Sequence, residues 1–376
     1  MLLSKNDVSL KADERFVFEL RSLYNRFGYT RYRMSKFEEY ELYIKNKDFL
    51  SSSGVITFTD TNGKLMALKP DVTLSIIKSL SKQTGVQKVY YNENVYRVSK
   101  NSGRFREIMQ AGLECLGDIG EYEISETLLL ALKSLELLNL DFRIDIAHMG
   151  VLSELISKLN LPKKCIEDLF VCIKRKNIEG IKLCLASADN IEVANAISDV
   201  IGIYGTPESA LPKLKRICEG ILNPSTIEEL ETILSNLSLT EYSDKIYIDF
   251  SVVNDMNYYN GIVFKGYVDG VPDGVLSGGC YDLMMKKIGR DCGAIGFAVC
   301  LDSLERLEEE NNPFDYDIML VYDNAPSGDV LLAVNKLSSD GTTVFAAKSR
   351  QDGISARKTL YLKNQELTDE EGNKYD

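Results

Sequence analysis

Glu93, Arg97, Gln110 and Glu114 stand at even spacings within VYYNENVYRVSKNSGRFREIMQAGLECLG, residues 89–117. β-Branched and aromatic residues crowd both ends of this stretch and the polar run 99–103 supplies turn chemistry, so it reads as two strands joined by a loop. Side chains alternate faces along a strand. Glu93, Val95 and Arg97 therefore share one face of the first strand, and Ile108, Gln110, Gly112 and Glu114 share one face of the second. An amide and a carboxylate flanking a residue without a side chain leave a hollow with hydrogen-bonding walls, and Arg97 adds a cation from the neighbouring strand. Such a face suits a small zwitterion. Spacing alone favours a plainer arrangement, a half-solvated hairpin whose charges face water, because exposed charge is the norm.

A second polar group precedes it. Residues 55–59 and 65–68 read as a hairpin around Asp60, Thr61, Asn62 and Gly63, with the Asn-Gly pair favouring a tight turn. Pro70 ends that strand or starts the next helix, which leaves Asp71 and Thr73 near a helix N-terminus. Both residue types also serve there simply as caps.

The scaffold that must position these groups has an ordinary globular composition, 44% hydrophobic, 9% aromatic and 27% charged. Its 376 residues exceed the usual size of one domain, so a main domain with smaller ones is expected. No apolar run approaches the ~20 residues that span a bilayer, and MLLSKNDVSLKADERF has no signal-peptide core; a cytoplasmic chain without a membrane partner is expected. The eight cysteines are scattered without a C-x-x-C pair and read as buried reduced thiols. With His148 as the sole imidazole, a zinc site or a histidine-based triad has almost no raw material, and no cofactor is implied. The net charge of −12 counts mildly against a nucleic-acid partner.

Along the chain, the spacing of Phe16, Leu20, Leu23 and Tyr24 predicts a helix over 12–27 ending at Gly28. Residues 29–37 look extended and 44–50 form a short polar element. A helix over 122–138 and a strand over 142–147 follow the central hairpin. Residues 152–240 read as a largely helical insertion with a Gly-Thr-Pro break at 205–207, because strand character resumes over 246–253 and through YYNGIVFKGYVDG to Gly278 and Gly279. Residues 293–307 begin as a strand and become a helix. After a break at 311–314, the tail reads β, α, β, β, with its acidic end LTDEEGNKYD frayed.

The order of these parts carries a resemblance. Over about residues 1–310 the chain resembles class II aminoacyl-tRNA synthetases of the histidyl branch. FTDTNGKLMALKPDVT is similar to the family's strand, turn and arginine-proline-acid-x-threonine segment, and YRVSKNSGRFREIMQAGLECLG to motif 2 and its following strand. SVVNDMNYYNGIVF resembles the histidine-specific signature, while LSGGCYDLM and AIGFAVCLDSL resemble the glycine-rich strand and motif 3. The implied fold is α+β, an antiparallel sheet flanked by helices, normally dimeric, followed over 314–376 by a reduced anticodon-binding-like α/β tail. The resemblance implies that Asp71, Thr73 and Gln110 receive the α-amino group of histidine, that Glu114 and Tyr259 read its imidazole, and that Tyr258 and Tyr281 wall the pocket. It also matches Arg97 to the motif 2 arginine that contacts the ATP α-phosphate and the amino-acid carboxylate.

The departures are as informative as the matches. Asn254 stands where histidyl synthetases carry an arginine that steadies the carboxylate and phosphate. Motif 3 ordinarily ends Gly-Leu-Glu-Arg, and here Cys300, Leu301, Asp302 and Ser303 occupy those places, with Arg306 about one helical turn later. Ser35 replaces the motif 1 proline, Lys69 an arginine, and Cys280 the arginine of the glycine-rich strand. Phosphoryl chemistry depends on cations set against developing negative charge, and losing one such donor costs ~10²- to 10³-fold by analogy with oxyanion holes. Two lost together should leave adenylation negligible, and the short tail puts anticodon reading and a tRNA partner in doubt. A histidine pocket without these cations resembles the ATP phosphoribosyltransferase regulatory subunit family, non-catalytic histidyl-synthetase paralogues. The resemblance implies a short-form catalytic partner, histidine as feedback effector at the first step of histidine biosynthesis, and a homodimer within a hetero-oligomer.

Overall fold

The computed structural model describes residues 12–46, 54–80, 85–98, 103–252, 258–304 and 314–375. One compact unit spans Phe16–Leu304, and the tail belongs to a second. In the first, the strands are β1 (Thr30–Arg31), β2 (Phe37–Glu39), β3 (Thr57–Thr59), β4 (Leu65–Leu68), β5 (Gln87–Val98), β6 (Phe105–Gly117), β7 (Phe142–His148), β8 (Tyr204–Gly205), β9 (Ile246–Asp249), β10 (Ile262–Val268), β11 (Leu276–Cys280) and β12 (Gly293–Cys300). Nine of them form one sheet in the order β1-β5-β6-β12-β11-β10-β7-β9-β8, and β2-β4-β3 form a small separate one. The large sheet is antiparallel from β5 to β7 and parallel at β1–β5 and β7–β9.

The β5–β6 register sets the site. Glu93 lies opposite Gln110, Tyr91 opposite Gly112 and Val89 opposite Glu114, so the two predicted polar faces are one continuous face. The other face is covered by helices. The helix Glu121–Glu136 buries Ile124, Leu128, Ala131, Leu132 and Leu135, and its Leu135 fills the space left by Gly266 on β10. Each leucine so buried contributes about 1.5–3 kcal/mol. The first helix, Ala12–Arg26, buries Phe16, Leu20, Leu23 and Tyr24 at helical spacing, and Tyr24 meets the Phe297 ring edge-on at 6.1 Å.

One expectation changes here. The strand predicted over 246–253 ends at Asp249, and Phe250–Val252 form a 3-10 turn. The Asp249 carboxylate accepts from the Ser251 amide at 2.8 Å, a local bond that competes with the ladder. Residues 152–240 are largely helical as expected, and the short β8 within them pairs with β9 and extends the sheet.

The second unit contains β13 (Tyr316–Val321), the helix Ser327–Leu337, β14 (Val344–Ala347), β15 (Ala356–Lys363) and β16 (Glu366–Thr368). They form a sheet in the order β14-β13-β15-β16 over a core of Ile318, Leu320, Ala333, Leu360, Leu362 and Leu367. Its end is not frayed over the described residues. Asp369 Oδ1 accepts from the amides of Glu371 and Asn373 at 3.0 and 2.8 Å, turning the chain so that Tyr375 N–H reaches the Leu367 carbonyl at 2.8 Å. No helix among the described residues is long and apolar enough to cross a membrane.

Candidate functional site

Glu114 is the centre of the polar face. It is 2% exposed; its Oε1 accepts from the Thr73 hydroxyl at 2.7 Å, and its Oε2 accepts from the Tyr281 hydroxyl. Gly296 of β12, opposite Glu114, makes this possible: a Cβ there would lie 1.8 Å from Glu114 Oε2. Burial pushes the Glu114 carboxyl up to about 8, while the two hydroxyls pull it down and the Asp71 charge adds to the rise. A buried acid so poised ionises readily when an N–H donor or a cation arrives beside it.

Pro70 and Asp71 bring the second group to the same place. Arg97 Nε donates to the Pro70 carbonyl at 2.8 Å, and its Nη2 lies 3.9 Å from Asp71 Oδ2. Asp71 Oδ1 accepts from the Leu74 amide at 2.9 Å, capping the helix Thr73–Leu80, whereas Thr73 turns its hydroxyl to Glu114. Asp71 thus caps and faces the site at once, with its carboxyl raised by burial against the pull of Arg97. Gln110 sits between Glu93 on β5 and Cys300 on β12.

The tyrosines close the set. The rings of Tyr258 and Tyr259 are 4.6 Å apart, and Tyr258 and Tyr281 are 6.1 Å apart. Tyr258 and Tyr259 are partly buried, while Tyr281 is fully buried and orients Glu114. Burial raises all three phenols, which stay neutral donors. Tyr259 lies against Gly279, where a Cβ would come within 2.8 Å of its ring.

Sequence reasoning missed two supports. Lys69 is fully buried and donates to Glu93 at 2.9 Å, so the residue that replaces an arginine ties the Pro70 segment to β5. Asp302 Oδ1 accepts from the Met109 amide at 2.9 Å, so the motif 3 acid anchors β6. Ser303 follows in the 3-10 turn Leu301–Ser303; Asn254 and Arg306 lie outside the described residues. His148 is structural: its Nδ1 accepts from the Gly150 amide at 3.0 Å, leaving the proton on Nε2, 3.3 Å from Glu229. Among the described residues no group of three or more His, Cys, Asp or Glu is arranged to hold a metal ion.

Comparison with known proteins follows the same lines. The histidyl-tRNA synthetase family model matches residues 7–304. An ATP phosphoribosyltransferase regulatory subunit from Caldanaerobacter subterraneus subsp. tengcongensis is 31% identical over 295 residues, 76% of this chain and 75% of that protein. The chain belongs to the histidyl-tRNA synthetase family, on its ATP phosphoribosyltransferase regulatory subunit branch. The same fold occurs in an ATP phosphoribosyltransferase regulatory subunit/histidyl-tRNA synthetase from Bacillus halodurans, with a TM-score of 0.73 at 21% identity over 93% of both chains. It occurs again in the ATP phosphoribosyl transferase (HisG:HisZ) complex from Thermotoga maritima, with a TM-score of 0.60 at 22% identity over 77% of this chain and 97% of that one.

Proposed function

We propose that this chain is the non-catalytic regulatory subunit of ATP phosphoribosyltransferase. It makes a short-form catalytic subunit active and carries histidine feedback at the first step of histidine biosynthesis. The observation that carries this reading is a retained set of amino-acid groups, Thr73, Glu114 and Tyr281 locked together beside Asp71 and Arg97, with Ser303 and Asn254 where synthetases place phosphate-binding arginines. The protein named in the Caldanaerobacter comparison supports the subunit assignment, and the Thermotoga complex supports a catalytic partner.

In this reading Asp71, Thr73 and Gln110 hold the ammonium group, Glu114 and Tyr259 hold the imidazole, Tyr258 and Tyr281 form the walls, and Arg97 takes the carboxylate. The chain works as a homodimer within the hetero-oligomer and charges no tRNA. Histidine inhibits through linkage, by binding the inhibited arrangement more tightly than the active one. The test mixes the purified chain with a short-form catalytic subunit and measures phosphoribosyl transfer with and without histidine. Activity should depend on the mixture and fall with histidine. The Glu114→Ala mixture should keep activity and lose inhibition; inhibition unchanged in that variant would refute the pocket.

A further inference from the structure

Gly112 stands between Gln110 and Glu114 on β6 and leaves a hollow in the polar face, and the structure shows what enters it. Tyr91, opposite Gly112 on β5, lies on the same face and lays its ring across the glycine: a Cβ on Gly112 would come within 2.7 Å of the phenol oxygen and 2.9 Å of Cζ. The glycine is what lets a tyrosine end over the middle of the site. Tyr91 is 2% exposed, in the buried cluster that holds Tyr281 and against which Tyr258 and Tyr259 pack. Burial raises its phenol, and the Glu114 and Asp71 carboxylates and Tyr259 raise it further, so the hydroxyl stays neutral in the field of the pocket's two acids. That hydroxyl makes no hydrogen bond among the described residues, and it is not sealed from solvent, so the small opening the residue keeps reaches its polar end.

We propose that Tyr91 is a specificity-determining residue of the amino-acid pocket, a floor whose hydroxyl hydrogen-bonds the histidine side chain at the imidazole nitrogen that Glu114 does not take. The inference rests on the histidine reading of the site. A neutral imidazole carries one N–H and one bare ring nitrogen. Ionised Glu114 can only accept, so it takes the N–H while Thr73 and Tyr281 donate to its two oxygens. The bare nitrogen needs a donor, and the Tyr91 hydroxyl supplies it. An apolar ring of the same size would seal that hydroxyl without a partner. The tyrosine therefore selects for histidine twice, by the bond it makes and by the cost it imposes on an analogue.

The test titrates the full chain and its Tyr91→Phe variant with histidine and with thienylalanine, whose five-membered ring carries no nitrogen, and measures the urea midpoint of each ligand-free protein. The variant should bind histidine about 5- to 100-fold more weakly and thienylalanine no more weakly than the unaltered chain, at an unchanged urea midpoint. Histidine affinity unchanged in Tyr91→Phe, or an equal loss for both ligands, would overturn the role of Tyr91 and leave the histidine pocket standing. No histidine binding by the unaltered chain would overturn the pocket reading and this inference with it.

Discussion

Two places along the β5–β6 ladder, Glu114 and Met109, differ in what their polar neighbours do. At Glu114, Thr73, Tyr281 and a glycine-lined approach hold one carboxyl in place with its remaining lone pairs unclaimed by these bonds. At Met109, the motif 3 residue Asp302 spends its carboxylate on the backbone amide and Ser303 offers no cation. In the proposed reading the first group receives an N–H donor, whereas the second has a structural bond. On the proposed reading, the chain would keep the groups that recognise an amino acid while the motif 3 segment no longer serves phosphate chemistry.

The largest expected effect comes from deleting the first of these. Glu114→Ala removes a charge-assisted hydrogen bond worth about 1.5–3 kcal/mol, so histidine affinity should fall about 10- to 100-fold by calorimetry while circular dichroism stays unchanged. Crowding the same carboxyl is next. Gly296→Ala places a methyl against Glu114 Oε2 and should lower chain stability by about 1–3 kcal/mol in urea denaturation, with weaker histidine binding. A smaller change separates orientation from charge: Tyr281→Phe removes one hydrogen bond, about 1 kcal/mol, and should weaken histidine several-fold without loss of folding.

The pH dependence sharpens the comparison further. Glu114 is raised from 4.5 to about 8, so the folded chain binds its proton more tightly than the unfolded chain does. Its contribution to stability is complete below pH 4.5 and is lost as pH rises through about 8. Denaturation midpoints of the ligand-free chain should fall over that window more steeply than those of Glu114→Gln. Histidine, which favours the carboxylate, should release protons on binding near neutral pH. Titration in buffers of different ionisation enthalpy reads this directly, and heats independent of the buffer would count against it.

Part of the site was legible because strand alternation puts Glu93 and Arg97 on one face of β5 and Gln110 and Glu114 on one face of β6; the register that joins the two faces came from the structure. The short contacts that fix it were not legible. Lys69 meets Glu93 across 24 positions and Asp302 meets Met109 across 193, and no local propensity encodes such pairings. Asp71 resisted a single reading because it both caps a helix and faces Arg97. The end of the chain was misread as frayed since its acidity hid an aspartate turn at Asp369.

The central claim is that the chain receives histidine but does not activate it. Isothermal titration with histidine, run beside an ATP–pyrophosphate exchange assay on the same preparation, tests both halves at once. Histidine binding that Glu114→Ala weakens about 10- to 100-fold, with exchange at background, is the predicted result. Histidine-dependent exchange above background would contradict the account and return the chain to the aminoacylating enzymes.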